Sequence, residues 1–301
     1  MTSNKSTSSP QPGQAPLTIG KGAELGEIIV FIDGHTEAPS ILEFAGLLAE
    51  EHGAHLIGVF MQPAPKVTTA QTFARGKGIR EVMQVQEQEI GGIEAHHRAL
   101  FEDTLRRHAV QSGSEWRSLP YLSSDVGVHA YYADLVMISR PEPAGDTAGP
   151  PGLAESLVLS SARPILLIPP HGTVSRVCRA VVAWNATRES IRAVADALPL
   201  LVKAEAVEVL VVDPQRQRAH GPEPGADIAR HLARHGAQVE ARRLSSGGED
   251  VGRLLLSASA TFGADLLVMG AYGHSHLSEW LFGGVTRTVL YEAGLPVLMS
   301  R

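Results

Sequence analysis

The residues of this chain whose types and spacing suit ligand chemistry are mainly glycines. Gly270-Ala271-Tyr272-Gly273 is followed, after nine intervening residues, by Gly283-Gly284-Val285-Thr286. Residues without a Cβ let backbone N–H groups approach an anion closely and let a loop bend through positive φ. Gly270 and Gly273 suit that approach. Gly283, Gly284, Val285 and Thr286 open a helical segment, whose unpaired amides and positive dipole end favour a phosphate chain, with the Thr286 hydroxyl as a further donor. Trp280, Leu281 and Phe282 read as an apolar anchor for the loop, and His274 and His276 as solvated loop residues.

Other candidates point to weaker chemistry. Ser246-Gly247-Gly248-Glu249-Asp250 resembles the Ser-Gly-Gly-x-Asp loop of ATP pyrophosphatases. It follows the third strand of its sheet rather than the first, and ends in Val251 where that loop has Ser, so a helix start with acids at the positive dipole end is the simpler reading;. Asp213 and Glu279 are the acids nearest the glycine motif, and both read as solvated. His96 and His97 sit on a polar helix with side chains about 100° apart, which is not a metal-ligand arrangement. Hydrolysis would need a metal, a positioned water and charge stabilisation, and the Lys-containing P-loop is absent. Binding is favoured over turnover.

The whole chain narrows the classes further. With 301 residues it is long enough for two domains that each bury a core;. The net charge of −6, without a basic run, gives general nucleic-acid binding no electrostatic source;. No run approaches 18 consecutive apolar residues, so no membrane span is expected. The single cysteine, Cys178, excludes an internal disulfide and reads as strand packing;. Met1 to Lys21 is rich in Ser, Pro, Gly, Gln and Thr and lacks the apolar segment of a secretory signal, so residues 1–22 are expected to form a disordered tail and the protein to be cytoplasmic;.

The elements that must position the glycines occur twice. Glu27–Asp33 is a continuous apolar run of the kind found in a doubly covered parallel strand, followed by a helical period at Ile41, Phe44, Ala45 and Leu48, then His55–Met61 as the next strand;. The order returns as Val177–Trp184, a helix through Ile191, Val194, Leu198 and Leu201, and Val207–Val212. Val239–Leu244 is a third strand. Ala133-Asp134-Leu135 and Ala264-Asp265-Leu266 open matching fourth strands, and Ala162–Ile168 and Gly294–Met299 hold the fifth. Asp33 to Pro164 spans 131 positions against 111 from Asn185 to Pro296, an excess assigned to a loop and a long polar helix between Pro63 and Arg107;. Pro169-Pro170-His171-Gly172 reads as the linker.

This predicts an α/β fold of two tandem five-stranded parallel-sheet domains, residues 23–169 and 173–301, with strand order 3-2-1-4-5. Ligands in such sheets bind beyond the carboxyl ends of the strands where the order reverses, here after Trp184 and Met269.

The pattern Gly-x2-Gly-x9-Gly between a fourth strand and a last helix, inside a whole-chain repeat, resembles the ATP-binding branch of the universal stress protein family. The resemblance implies a Rossmann-like, adenine nucleotide alpha hydrolase-like fold and a stress-response regulatory role. It implies ATP in the C-terminal domain, with ADP or AMP and an accompanying Mg²⁺ left open. Base and ribose would lie against Ala183, Asn185 and Val211, Met269 would flank the phosphates, and Gly270, Gly273, Gly283, Gly284, Val285 and Thr286 would hold them. The family often has Asp where Asn185 stands, and Gly-Ser where Gly283-Gly284 stand. It also implies pairing of fifth strands, Pro164–Ile168 with Pro296–Ser300, as an internal pseudo-dimer, with a homodimer as the other arrangement.

The N-terminal half has lost the motif. Ser139 replaces Gly270, Glu142 replaces Gly273 and Pro151 replaces Gly283, while Asp146 and Glu155 add negative charge, so no ATP is expected there;. The alternatives are a nucleotide-free scaffold with both crevices vestigial, and an ATP-hydrolysing enzyme of the pyrophosphatase type.

Overall fold

Strand β1 (Glu27–Asp33) buries Ile28 through Ile32 completely on both faces, which a strand can do only between two helical layers;. It is followed by α1 (Pro39–His52), β2 (His55–Met61), α2 (Lys77–Arg107), β3 (Ser114–Leu119), α3 (Val126–His129), β4 (Leu135–Ser139), α4 (Leu153–Ser160) and β5 (Ile165–Ile168). The second half runs β6 (Arg179–Ala183), α5 (Arg188–Leu201), β7 (Ala206–Val212), a 3-10 turn (Pro214–Arg216), α6 (Ala226–Arg234), β8 (Val239–Leu244), α7 (Val251–Phe262), β9 (Leu266–Gly270), α8 (Gly284–Glu292) and β10 (Val297–Ser300). The computed structural model describes residues 24–34, 39–63, 77–120, 126–141, 152–170, 176–216, 223–271 and 284–301. The expected tail 1–22, the linker residues His171 and Gly172, and Glu142, Asp146, Pro151, Gly273, His274, His276, Glu279, Trp280, Leu281, Phe282 and Gly283 lie outside the described residues.

The strands form one ten-stranded sheet in the order β3-β2-β1-β4-β5-β10-β9-β6-β7-β8, so each half has the expected order 3-2-1-4-5. Pairing is parallel within each half. The halves meet through an antiparallel pair, with Val297 opposite Leu167, Leu298 opposite Leu166 and Met299 opposite Ile165. Side chains alternate across the sheet. Ile28, Val30, Leu166, Val182 and Leu298 pack in one core with α1, α2, α5 and α6, whereas Ile29, Phe31, Leu167, Val181 and Met299 pack in a second with α3, α4, α7 and α8. Each core runs through both halves.

The fourth strands start two residues later than the apolar pattern suggests, because the repeated aspartate has another task. Asp134 Oδ2 accepts from the N–H groups of Gly26 at 2.8 Å and Glu27 at 3.1 Å, and Asp265 Oδ2 accepts from Cys178 at 2.9 Å and Arg179 at 2.8 Å. Each carboxylate thus fastens the entrance of strand one to strand four with charge-assisted bonds. β6 begins at Arg179, two residues later than the apolar run suggests, within the pair of N–H groups that Asp265 holds.

The long helix α2 has 31 residues, about 46 Å at 1.5 Å per residue;. Its C-terminal third is not simply solvated. Phe101, His97 and Thr104 are buried, the His97 ring lies 5.8 Å from that of Phe60, and Trp116 Nε1 donates to Glu94 at 3.1 Å. The two neighbouring histidines therefore differ: His96 is exposed and His97 is part of the packing. Helix α1 comes so close that a Cβ on Gly46 would lie 2.4 Å from His108 Cδ2.

Beside the joining strands, Lys203 Nζ donates to the Glu51 carbonyl at 2.9 Å and lies 3.4 Å from Nδ1 of the buried His52, which also accepts from the Leu25 N–H at 3.5 Å. Burial, then the Lys203 charge, hold the His52 imidazole below its ordinary value, against the raising influence of Glu51 and Glu24.

Two outcomes follow. Leu298→Pro removes a donor from a strand paired on both sides, which leaves a buried acceptor unmatched at a cost of about 1–3 kcal/mol and should lower the melting temperature by roughly 2–12 °C for a chain of this size. An unchanged melting curve would show that the two sheets are not joined this way. Since His52 is held neutral when folded, the unfolded chain takes up its proton first as pH falls below about 6.5, so the contribution present at neutral pH is lost on acidification. Melting temperatures between pH 7.5 and 5.5 should fall more steeply for the native chain than for His52→Gln.

Candidate functional site

The carboxyl ends of β7, β6 and β9 lie side by side where the strand order of the second half reverses. Ala183 at the end of β6 pairs with Leu210 on one side and Met269 on the other, and Gly270 pairs with Ser300. Ala183, Asn185, Met269 and Gly270 are therefore brought to one mouth. Val211 is one residue further along β7 and is fully buried, and Met269 is 4% exposed, so their side chains serve the packing and present little surface there.

Asn185 is exposed, but its amide oxygen is engaged. Oδ1 accepts from the Thr187 N–H at 3.3 Å and from Thr187 Oγ1 at 2.9 Å, and Thr187 in turn caps α5 by accepting from the Ser190 N–H at 3.4 Å. The side chain thus builds the turn that starts α5 and leaves its NH₂ donors for a ligand. An aspartate in its place would offer no such donors.

Gly270 is required by the protein itself. A Cβ there would stand 2.6 Å from the carbonyl carbon of Glu189 and 2.6 Å from the Ser190 nitrogen, because the first turn of α5 rests on the strand end. Gly284 is the opposite case. It is exposed at the start of α8, and among the described residues a Cβ would meet nothing within 4 Å. No described neighbour demands a glycine there. Val285 packs against the core that holds Met269 and Ala271, and Thr286 is buried at 5% exposure. The first turn of α8 contains no acid and carries the exposed Arg287, a cation beside the positive end of the helix dipole;. Reading the motif by glycine spacing passed over Arg287, although charge position in the sequence signals it.

The neighbouring acids have structural partners. Asp213 is buried, not solvated: it accepts from the Ser246 N–H at 2.9 Å and from Ser246 Oγ at 2.6 Å, tying the loop after β7 to the loop after β8. Asp250 caps α7 by accepting from the Arg253 N–H at 2.9 Å, so Ser246–Asp250 is a helix start.

At the matching place in the first half, Ser139 ends β4 opposite Ile168. Gly152 caps α4 with φ 79°, and Glu155 in the first turn is buried against the other half, its Oε1 accepting from the Tyr291 hydroxyl. That hydrogen bond, then burial and the Glu155 charge, push the Tyr291 phenol up to about 12. The contact was not legible from the sequence, because fifth-strand pairing alone does not say which side chains of α4 and α8 meet.

Residues 179–301 match the model of the universal stress protein family. Among curated proteins the sequence has no significant match. The whole chain is similar to a solved universal stress protein from Archaeoglobus fulgidus DSM 4304, at 13% identity, over 91% of this chain and 96% of that one, with a TM-score of 0.63. It is similar to a putative universal stress protein from Pseudomonas aeruginosa UCBPP-PA14 at 16% identity, over 92% and 93% of the two chains, with a TM-score of 0.57. A functionally unknown protein from Pseudomonas aeruginosa PAO1 aligns at 16% identity over 92% of both chains, with a TM-score of 0.52. Among the described residues no helix is long and apolar enough to cross a membrane. Residues 179–301 thus match the universal stress protein family, and the first half repeats the same α/β fold in tandem.

Proposed function

We propose that the protein is a stress-response regulator that binds one adenine nucleotide, ATP, in its C-terminal half, the two functional units dividing at Pro169–Gly172. The observation that carries this reading is the acid-free first turn of α8, with Gly284 exposed and unconstrained by any described residue and Arg287 beside it. Unpaired helix amides there suit a phosphate chain. The strand ends at Ala183, Met269 and Gly270 supply a floor, and the Asn185 amide donors suit a ring nitrogen or a ribose hydroxyl. ATP is the ligand that the family resemblance implies, with Gly273 and Gly283 in the intervening loop as further phosphate contacts.

In the first half, Glu155 lies in the first turn of the corresponding helix, where its charge opposes a phosphate;. We therefore assign no nucleotide to that crevice. Binding coupled to conformation is favoured over turnover, because Asp213 and Asp250 are committed to Ser246 and to the α7 cap.

Two glycine variants separate the roles. Gly284→Asp places a carboxylate at a helix N-terminus, which stabilises the fold by about 0.3–1 kcal/mol or leaves it unchanged. It should weaken ATP binding at least tenfold by calorimetry, about 1.4 kcal/mol. Retained affinity in the folded variant would remove the phosphate site from α8. Gly270→Ala, forced against the α5 backbone, should cost about 1–3 kcal/mol of stability, seen as a lower melting temperature with or without nucleotide.

A further inference from the structure

The two ends of α8 have different owners. Its first turn belongs to the site just described, whereas its last turn is held by the first half of the chain. The antiparallel β5–β10 pair sets the carboxyl end of one half's sheet beside the amino end of the other's;. Arg140, the first residue after β4, donates from its guanidinium to the Tyr291 carbonyl and, at 3.2 Å, to the Pro141 carbonyl. The Tyr291 hydroxyl donates to Glu155 of α4.

Counting back from Pro164 and Pro296, Leu159 corresponds to Tyr291 and Glu155 to Arg287. The reciprocal contact is thus poorer: Arg301 donates to the Leu159 carbonyl at 3.2 Å, while Leu159 has no hydroxyl to offer and Arg287 is no acceptor. The first half gives α8 a two-point grip and receives a single bond in return.

We propose that Arg140 and Glu155 are positioning residues for the phosphate-binding turn of the other half, acting through Tyr291. This rests on the nucleotide reading above. A helix of nine residues spans about 13.5 Å and moves as a unit, so fixing Tyr291 fixes where the amides at Gly284 point;. The cation at the Tyr291 carbonyl also reinforces the dipole whose positive end meets the phosphates. The raised phenol keeps Tyr291 a donor throughout the neutral range. Within its own half α8 is fastened by Arg253 to Glu292, at 3.0 Å for both bonds, but that pair is exposed and of small energetic weight;. Glu155, at 7% exposure, is the better-buried anchor. The N-terminal half, with its own crevice altered, is thereby part of the site in the other half.

The test uses the full chain and compares ATP with adenosine, which lacks the phosphates that meet α8. Tyr291→Phe and Arg140→Ala should each raise the ATP Kd by about fivefold or more, a modest coupling, and leave the adenosine Kd unchanged. Lys203→Met loosens the joint between halves away from α8 and should change neither, with circular dichroism showing all variants folded. Tyr291→Phe binding ATP like the native chain, or losing ATP and adenosine equally, or being matched by Lys203→Met, would overturn the proposal while leaving the nucleotide site standing. A native chain that binds neither ligand would overturn both.

Discussion

The antiparallel contact between β5 and β10 is the constraint on which the rest of the molecule depends. Each half is an open sheet with two edges, and an unpaired edge exposes a row of backbone donors and acceptors. The outer edges carry charge: Glu115 and Arg117 pair at 2.8 and 2.9 Å on β3, and Glu240 and Arg242 stand on β8. The inner edges are four-residue apolar strands, every residue buried, and such strands persist only when paired. Their pairing merges the two sheets, runs both cores through the whole chain and brings α8 against the first half.

From that joint arises the asymmetry of the two crevices. The pseudo-twofold relation gives each half a last helix whose end touches the partner half, yet the residues at the contact differ. Tyr291 offers a hydroxyl, and Glu155 receives it, so the start of α4 is spent on holding the halves together. On the other side Leu159 has no hydroxyl and Arg287 is no acceptor, and among the described residues nothing lies within 4 Å of a Cβ placed on Gly284. Two exchanges of side-chain type across a nearly symmetric interface, Tyr291 for Leu159 and Glu155 for Arg287, make the start of α4 a brace and leave the start of α8 without one among the described residues.

The glycines of the motif divide in a way that spacing cannot express. Gly270 and Gly284 read alike in sequence, yet one is imposed by the α5 backbone 2.6 Å away and the other meets no described residue within 4 Å. Asp213 reads as a solvated acid and is instead buried on Ser246, because the loops after β7 and β8 converge there. His97 reads as one of two surface histidines, but packs on Phe60, since the C-terminal half of α2, from Ile93 on, packs against the sheet.

The tandem repeat and the long helix were legible from local periodicity and from runs such as Ile28–Ile32 that suit only a doubly covered strand, the strand order followed from the rules of alternating α/β units, and the pairing of fifth strands was what the family resemblance implied. The entrances of the fourth and sixth strands were not, since Asp134 and Asp265 act on residues more than eighty positions away. Composition and pattern alone determined what each segment is and which family its second half resembles. Tertiary structure decided which polar groups remain for a ligand after the protein has used its own, because a buried donor or acceptor must be satisfied by whichever neighbour the fold brings to it.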